Sequence, residues 1–313
     1  IAVLPEATES GKTIVAHNSQ LGAGMGLYSV AYVASPNRMN RFWTQAPAGC
    51  IAWNMLANDK GVVLANFQGG TGEEAFGMPN ILLHTDTIAR SNNMQEAMQC
   101  VTVGCKEYRE RSGRKTVLRH GGSNKLIAEK GRTCVVETTA RRYAIRYPGD
   151  LGEKGFLVGA NHQYCKYSYD ENNERSSVPL SSFGGDVGDP LPSPTDGIGT
   201  CTRYWSLYWA ASYNYGMISL PLLMSEQFMA SHHWYDKRGN RIDHVKDEKT
   251  GKWLPVHYAY DHSTVCGHSG GYPEKFNNEL PDSKIFVIED LTVHWTLGRP
   301  CSWEGDWDSV RLR

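Results

Sequence analysis

The sequence has 313 residues, of which 40% are hydrophobic and 21% charged, and its formal net charge is −1. This composition is ordinary for a soluble globular protein, and the length is enough for one large core or two modest ones. A charge this close to zero excludes a global electrostatic attraction to nucleic acid or to an anionic membrane. The most basic stretch, residues 106–120, also contains two acids, so we expect a solvated helix and turn there.

The first part of the chain predicts an antiparallel sheet. Strand patterns occur at residues 1–4, 13–18, 27–33, 50–53 and 62–67, with turn signals at residues 9–12 and 58–61. The spacing of the apolar residues then changes to that of two amphipathic helices, at residues 79–90 and 92–101. Pro79 lies in the first turn of the first helix, and Asn92 or Asn93 is expected to cap the second. Helices that follow a run of strands predict helices layered on a sheet.

The second half of the chain alternates strands with one aromatic helix. Strands are predicted at residues 133–139, 142–146, 156–159, 285–288 and 292–297. The uncharged run at residues 204–224 is long enough to span a bilayer. Its Ser, Asn, Gly and Pro residues favour instead a buried helix at 204–215 followed by a strand.

Two segments are predicted to be insertions in a single domain that covers residues 1–313. Residues 170–200 are rich in Ser, Pro, Gly and Asp and predict a functional or mobile loop, and residues 235–254 predict a hairpin excursion. The whole order predicts an α+β fold in which two mainly antiparallel sheets pack between helical layers.

Familiar motifs for nucleotide or metal chemistry are missing from the sequence. The Gly-x-Gly-x-Gly run at residues 22–26 lacks the dinucleotide spacing, and there is no Walker loop, no His-Glu-x-x-His and no Gly-x-Ser-x-Gly. Eleven histidines allow a metal hypothesis, with clusters at His232-His233 and at His257, His262 and His268. Adjacent histidines point apart on a strand and the others have loop-like spacing. We therefore predict no metal and no cofactor, and keep a metal-dependent hydrolase as an alternative.

Cysteine usage and the start of the chain bear on its location. The eight cysteines contain no Cys-x-x-Cys pair, and Cys100 with Cys105 or Cys266 with Cys301 could form disulfides. Disulfides would favour a secreted or periplasmic location over the cytoplasm. The chain begins Ile-Ala-Val-Leu-Pro without an initiator Met or a signal peptide, which is typical of a processed or trimmed product.

Uncharged polar residues and one arginine lie at the ends of the predicted elements. They are His17-Asn18-Ser19-Gln20, Asn66, Asn161-His162 and Cys201-Thr202-Arg203. An amide hydrolase uses these types, because amide donors hold an oxyanion without ionising and a guanidinium can fix a carboxylate or tune a nucleophile. Taken singly, strand-end asparagines are also common turn formers.

The order and local context of these residues resemble one family. Residues 1–20 resemble the first hairpin of N-terminal-nucleophile (Ntn) hydrolases of the linear amide C–N hydrolase group. That group includes choloylglycine and penicillin V hydrolases, acid ceramidase, and the acyl-CoA:6-aminopenicillanate acyltransferase-like (peptidase C45) enzymes. The further motifs with family counterparts are Ala7-Thr8-Glu9-Ser10-Gly11, residues 58–67, the helix pair at 78–98, Ala160-Asn161-His162, Thr200-Cys201-Thr202-Arg203-Tyr204 and Gly298-Arg299-Pro300-Cys301. The resemblance implies a four-layer αββα sandwich.

The resemblance also implies a mechanism. Autoproteolysis of a zymogen exposes an N-terminal Cys, whose α-amine, with a pKa of about 7.7–8.0 in model compounds, is the base for its own thiol. The resulting thioester is resolved by water, or by an amine in acyltransferases. Asn66 and Asn161 then correspond to oxyanion-hole or substrate-amide contacts and Arg203 to the arginine beside the nucleophile. The substrate-binding positions implied are Asn18, Gln20, His162 and Tyr204.

Three departures from the family pattern change the expectations. His17 stands where the family has Arg, and Gln20 stands where it has Asp, so Gln20 cannot pair with an ammonium group and His17 is a candidate substitute base or thiol partner. Ile1 is not a nucleophile, and counting back from the turn at Ala7 places the catalytic Cys roughly three residues before Ile1.

We therefore predict an amidase or acyltransferase that acts on a small-molecule N-acyl or peptide-like amide. The alternative from another class is a non-catalytic binding protein that keeps the Ntn fold without a nucleophile. No nucleic-acid partner and no membrane span are expected, and homo-oligomerisation is left open. The sequence does not distinguish hydrolysis from acyl transfer.

Overall fold

The computed structural model describes residues 1–21, 29–69, 73–180, 198–236, 238–246, 250–256, 265–266, 280–296, 300–301 and 307–312. The helices in these residues are α1 (Asn80–Arg90), α2 (Met94–Thr102), α3 (Lys106–Ser112), α4 (Ile198–Tyr213) and α5 (Leu220–Met224), and a short 3-10 turn spans Pro5–Ala7. The strands are β1 (Ala2–Val3), β2 (Ile14–Leu21), β3 (Ser29–Ala34), β4 (Phe42–Pro47), β5 (Met55–Asn58), β6 (Val63–Gln68), β7 (Ser123–Glu129), β8 (Arg132–Thr138), β9 (Tyr143–Arg146), β10 (Phe156–Leu157), β11 (Ser168–Tyr169), β12 (Arg175–Ser176), β13 (Trp234–Tyr235), β14 (Arg241–Ile242), β15 (His244–Lys246), β16 (Trp253–Pro255), β17 (Leu280–Val287), β18 (Thr292–Thr296) and β19 (Asp308–Arg311).

Two antiparallel sheets form the body of the molecule. The first has six strands in the order β10-β1-β2-β17-β18-β19, and the second has nine in the order β12-β11-β9-β8-β7-β6-β5-β4-β3. The long pairing of β2 with β17 brings His17 opposite Lys284 and Asn18 opposite Ser283. This pairing therefore joins an early strand and a late strand of the chain at the centre of the six-stranded sheet.

Side-chain alternation along the strands sorts the core into layers. In β2, Ile14 and Ala16 pack in a cluster with α4, whereas Val15 packs in a cluster with the inner face of the nine-stranded sheet. On the nine-stranded sheet, Leu64 packs with α1 and α2, and Val63 faces the six-stranded sheet. The order of layers is thus helix, sheet, sheet, helix, which confirms the predicted four-layer α+β sandwich.

Most predicted elements are present, with shifted ends. The turn at residues 9–12 is confirmed, and Gly11 adopts the left-handed φ of +65° that it requires. Asn93 caps α2, accepting a hydrogen bond from the backbone N–H of Glu96. The solvated helix in the basic stretch is α3, which has no buried residue and ends at Gly113.

Several predicted elements differ from the structure. The strand predicted at residues 50–53 lies instead at β5, because residues 47–50 form a tight turn with Gly49 at φ +89°. The segment after α4 is the helix α5 rather than a strand, since Ser219 caps its first turn. Strands β4 and β7 were not predicted, because both are buried throughout or nearly so and lack a polar and apolar alternation.

The two proposed insertions are partly described. The loop predicted at 170–200 contains β12, α4 begins at Ile198, and residues 181–197 lie outside the described residues. The excursion at 235–254 resolves into two small hairpins, β13 with β14 and β15 with β16.

All eight cysteines are within the described residues, and none of them forms a disulfide. Among the helices described, none has the length and apolar character needed to cross a bilayer.

Candidate functional site

A cleft of about 580 Å³ opens beside the start of β1, where both sheets, two helices and several connecting segments meet. The six-stranded sheet supplies residues 16–19, and the nine-stranded sheet supplies residues 66–68 and Ser123. Ile1 and Gly69 adjoin these strands, and helices α1 and α4 supply Asn80, Ile81, His84, Arg203 and Leu207. Residues 159–161, Met229 and Val265 complete much of the wall. The cleft therefore combines buried polar groups with an apolar side.

The structure brings five of the predicted site residues to this cleft. They are His17, Asn18, Asn66, Asn161 and Arg203. His162 and Tyr204 do not line it. His162 is buried and its ring stacks with that of Tyr164, and the Tyr204 hydroxyl donates to Glu153 Oε1 at 2.9 Å within the layer formed by α4. Of Gln20 the structure describes only the backbone, which lies in β2 opposite Pro281.

His17 is held at both ring nitrogens. Its Nδ1 lies 3.2 Å from Ser19 Oγ and its Nε2 lies 3.2 Å from the carbonyl oxygen of Asn66. Ser19 Oγ in turn accepts from Lys284 Nζ at 2.9 Å, so the serine proton is directed at Nδ1 and the imidazole proton at the carbonyl. Burial and the nearby Lys284 charge hold the pKa of His17 well below 6.5. The imidazole is therefore neutral, and its contacts suit a positioning role better than that of a base at neutral pH.

Arg203 and Asn161 form a pair at the opposite wall. Arg203 Nη2 donates to Asn161 Oδ1 at 3.0 Å, and Asn161 Nδ2 donates to the Gln68 carbonyl at 2.7 Å. The backbone N–H of Asn161 donates to Thr200 Oγ1 at 3.0 Å, which ties this segment to the start of α4. Burial lowers the pKa of Arg203 to about 10, so the guanidinium stays charged at neutral pH. Asn161 thus orients a partly buried cation at the cleft.

The two remaining asparagines differ in what their side chains can offer. Asn18 is committed to the framework, because its Nδ2 donates to the carbonyls of Met229 and Val265, both at 2.8 Å, and its Oδ1 accepts from Ser283. Asn66 has its backbone fixed by Asn54, whereas its side-chain Oδ1 is buried with no hydrogen-bond partner among the described residues. The Asn66 side-chain oxygen is therefore not committed to the framework, in contrast to that of Asn18.

Sequence reasoning missed the part of the wall formed by β7 and α1. Ser123 accepts a short hydrogen bond from Lys125, a fully buried lysine on the same face of β7. His84 lines the cleft nearby, and burial followed by the Lys125 charge lowers its pKa well below 6.5. The available signal was the run Ser123-Asn124-Lys125 directly before Leu126, in which serine and lysine have the two-residue spacing of one strand face.

The fold of this chain is similar to that of the conjugated bile acid hydrolase from Clostridium perfringens. A mutant of the conjugated bile acid hydrolase from Clostridium perfringens aligns with a TM-score of 0.52 at 10% identity, covering 100% of this chain and 91% of that chain. A second variant of that enzyme gives 0.49 at 10% identity, with coverage of 100% and 92%. The Caenorhabditis elegans N-acylethanolamine-hydrolyzing acid amidase (NAAA) ortholog gives 0.47 at 9% identity, with coverage of 92% and 91%.

No protein-family model and no curated protein sequence matches the chain. At these identities the structural likeness shows the fold, and the chain has the Ntn-hydrolase fold that its motifs predicted. The resemblance to the linear amide C–N hydrolases is therefore confirmed at the level of architecture.

Proposed function

We propose that the protein is an Ntn-type amidohydrolase that cleaves a linear amide bond in a small N-acyl or peptide-like compound. The observation that carries the proposal is the position of the cleft, which opens at the start of β1 in an Ntn fold and is lined by Asn66, Asn161 and Arg203. In this fold class the chemistry depends on the residue that begins the first strand.

The proposed nucleophile is a Cys that precedes Ile1. The N of Ile1 donates to the Ala16 carbonyl at 2.8 Å, and the Ala16 N–H donates back to the Ile1 carbonyl at the same distance. Continuing this antiparallel pairing, a residue roughly three positions before Ile1 would lie opposite Ser19, on the strand face that carries His17. A thiol there would be within the cleft and beside the chain of hydrogen bonds through Ser19 and His17.

Each polar group then has a distinct part in the reaction. The thiol proton passes to the α-amine of the Cys, the thiolate attacks the amide carbonyl, and the developing oxyanion accepts from the Asn66 side-chain amide. The α-ammonium returns the proton to the leaving amine, and a thioester remains. Arg203 stabilises the thiolate or holds a substrate carboxylate, in a geometry set by Asn161. Water resolves the thioester in a hydrolase, and a second amine resolves it in an acyltransferase.

Trapping the acyl-enzyme tests this proposal. The protein made from its full gene is incubated with a panel of N-acyl amino acids, penicillins and dipeptides, quenched with acid, and examined by intact-mass and peptide-mass measurements. We expect an acyl adduct on the peptide that contains Ile1 together with release of the amine product. Saturable binding of an N-acyl compound with neither adduct nor product would instead support the non-catalytic alternative.

Asn66→Ala provides the matched mutational test. Because one oxyanion donor typically contributes about 10²–10³ in kcat, we expect a loss of that size with little change in KM. Asn80→Ala, which removes an amide from the α1 side of the same cleft, is the control and should retain most activity. Equal losses in the two variants would contradict the role assigned to Asn66.

A further inference from the structure

Three chemically related side chains from distant parts of the chain converge outside the cleft. His232 follows α5, Cys266 lies in the short described segment 265–266, and Cys301 lies near the end of the chain. Their ligand atoms, one imidazole nitrogen and two sulfurs, all lie within 4.8 Å of one another. Cys266 is buried, whereas His232 and Cys301 are partly exposed, so the cluster opens to water on one side.

We propose that His232, Cys266 and Cys301 bind a zinc ion, with a water molecule as the fourth ligand. Two thiolates and an imidazole are donors that Zn²⁺ prefers, and hard cations such as Mg²⁺ or Ca²⁺ prefer oxygen ligands. Zn–S bonds of about 2.3 Å in a tetrahedral site place two sulfurs about 3.8 Å apart. Side-chain rotations that move each donor atom by about an ångström would therefore bring the three donors into ligating positions.

The backbone around the cluster is already organised without an ion. The Cys266 N–H donates to the Ser231 carbonyl at 3.1 Å, which holds the Cys266 segment next to His232. Asn18 Nδ2 donates to the carbonyls of both Met229 and Val265, so β2 also holds these two segments together. Because the three ligand atoms already lie close together, the ordering cost of metal binding is low.

The cluster lies close in sequence to residues that line one wall of the cleft, so a bound ion would affect that wall. Met229 and Val265 line the cleft, and each lies within a few residues of a proposed ligand. An ion bound beside these two residues would fasten the segment of Cys301 to the segments that carry them. The zinc would thus act as a cross-link that fixes one wall of the cleft, and none of the three ligands contacts the cleft itself.

Cobalt substitution tests the site directly. The full-length protein is reduced, stripped with a chelator and titrated with Co²⁺ under anaerobic conditions, with thiolate-to-cobalt charge-transfer absorption as the readout. We expect saturation at about one equivalent, an intensity appropriate to two thiolates, and bleaching on addition of Zn²⁺. This readout is independent of enzymatic activity, so it stands or fails separately from the proposed function.

Ligand variants identify the residues. Cys266→Ser and Cys301→Ser should each weaken Co²⁺ binding by at least about 100-fold, and His232→Gln should weaken it while keeping part of the charge-transfer band. Cys105→Ser, at another partly exposed cysteine, should bind as the wild type does. Because Cys266 is buried, the partly exposed His232 and Cys301 variants keep the test informative if Cys266→Ser does not fold.

Three results would overturn the proposal. The first is absence of the charge-transfer band in the reduced wild-type protein. The second is binding that survives in both the Cys301→Ser and His232→Gln variants. The third is a Cys266–Cys301 disulfide in protein purified without reductant, together with failure of the reduced form to take up Co²⁺.

Discussion

The two walls of the cleft carry the same three residue types in different electrostatic settings. On the six-stranded sheet, Lys284 donates to Ser19 Oγ at 2.9 Å and to Asp282 Oδ1 at 3.0 Å, and His17 lies beside them. On the nine-stranded sheet, Lys125 donates to Ser123 and, at 3.1 Å, to Thr138 Oγ1, with His84 nearby. Both lysines are 0% exposed.

The difference between the walls is one carboxylate. Burial lowers the pKa of Lys284, and Asp282 opposes that decrease, so this lysine belongs to a buried ion pair. Burial and the nearby Arg119 charge lower the pKa of Lys125 well below 10.5, and no carboxylate pairs with it among the described residues. Similar lysine–serine contacts thus occur with a cation that a buried carboxylate stabilises on one wall, and with an amine whose charged form burial disfavours on the other.

Substitution of Lys284 is expected to have the largest effect, and it tests whether Lys284 and Asp282 form a buried ion pair. Lys284→Met leaves Asp282 buried without its cation, and a buried charge that loses its partner typically costs about 3–5 kcal/mol. We expect a decrease of that size in the free energy of unfolding at neutral pH, measured by urea denaturation. The double variant Lys284→Met with Asp282→Leu should recover most of the loss, and a double variant as unstable as the single one would contradict the ion-pair assignment.

The histidines give the pH dependence. The pKa values of His17 and His84 are both lowered below 6.5 by burial and by the adjacent lysine, so below pH 6.5 the unfolded chain binds more protons than the folded one. The free energy of unfolding should therefore fall as the pH drops from about 6.5 towards the folded pKa values. Each histidine should contribute a slope of up to about 1.36 kcal/mol per pH unit over that range.

His84→Leu should flatten that acid dependence and stabilise the protein at pH below 6.5, because His84 Nε2 has no hydrogen-bond partner among the described residues. His17→Leu is the contrasting control. It leaves Ser19 and the Asn66 carbonyl without their ring contacts, so it should lower the free energy of unfolding at neutral pH as well. Urea titrations at pH values on both sides of 6.5 measure both effects, and parallel pH profiles for wild type and His84→Leu would rule out the assigned contribution.

Lys125→Met should not lower the free energy of unfolding, in contrast to Lys284→Met. It removes a buried amine that has only hydroxyl partners, and replacing such a group with an apolar side chain of similar length is neutral or stabilises the fold by about 1 kcal/mol. Urea denaturation at neutral pH tests this directly. A loss as large as that of Lys284→Met would mean that Lys125 is a charged structural group and that the two walls are equivalent.

These contrasts mark what the sequence could and could not predict. Elements with clear periodicity, such as α1 and α2, and motifs tied to turns, such as Ala7–Gly11, were predicted together with the sandwich that they build. His17, Asn66, Asn161 and Arg203 were also predicted and do meet at one cleft.

The part of the wall formed by β7 was not predicted, because the buried serine, asparagine and lysine of β7 conceal the strand pattern. The His232, Cys266 and Cys301 cluster was also missed. Its members come from three separate segments, and only Cys266 and Cys301 had been considered together, as a disulfide. In both cases the decisive contacts join residues that local sequence patterns do not connect.

The smallest expected change in the free energy of unfolding comes from a second lysine–aspartate ion pair, which is exposed to solvent. Lys12 Nζ lies 2.9 and 2.7 Å from the two carboxylate oxygens of Asp290, with side chains 38% and 42% exposed. Water and salt screen this pair, so Lys12→Met should lower the free energy of unfolding by only about 0.2–1 kcal/mol, and raising the salt concentration should shrink the difference. The buried Lys284 pair should show little salt dependence because solvent ions cannot approach it. Equal decreases in the free energy of unfolding for Lys12→Met and Lys284→Met, with equal salt dependence, would contradict the assignment. Burial would then not explain the stability of the Lys284–Asp282 pair.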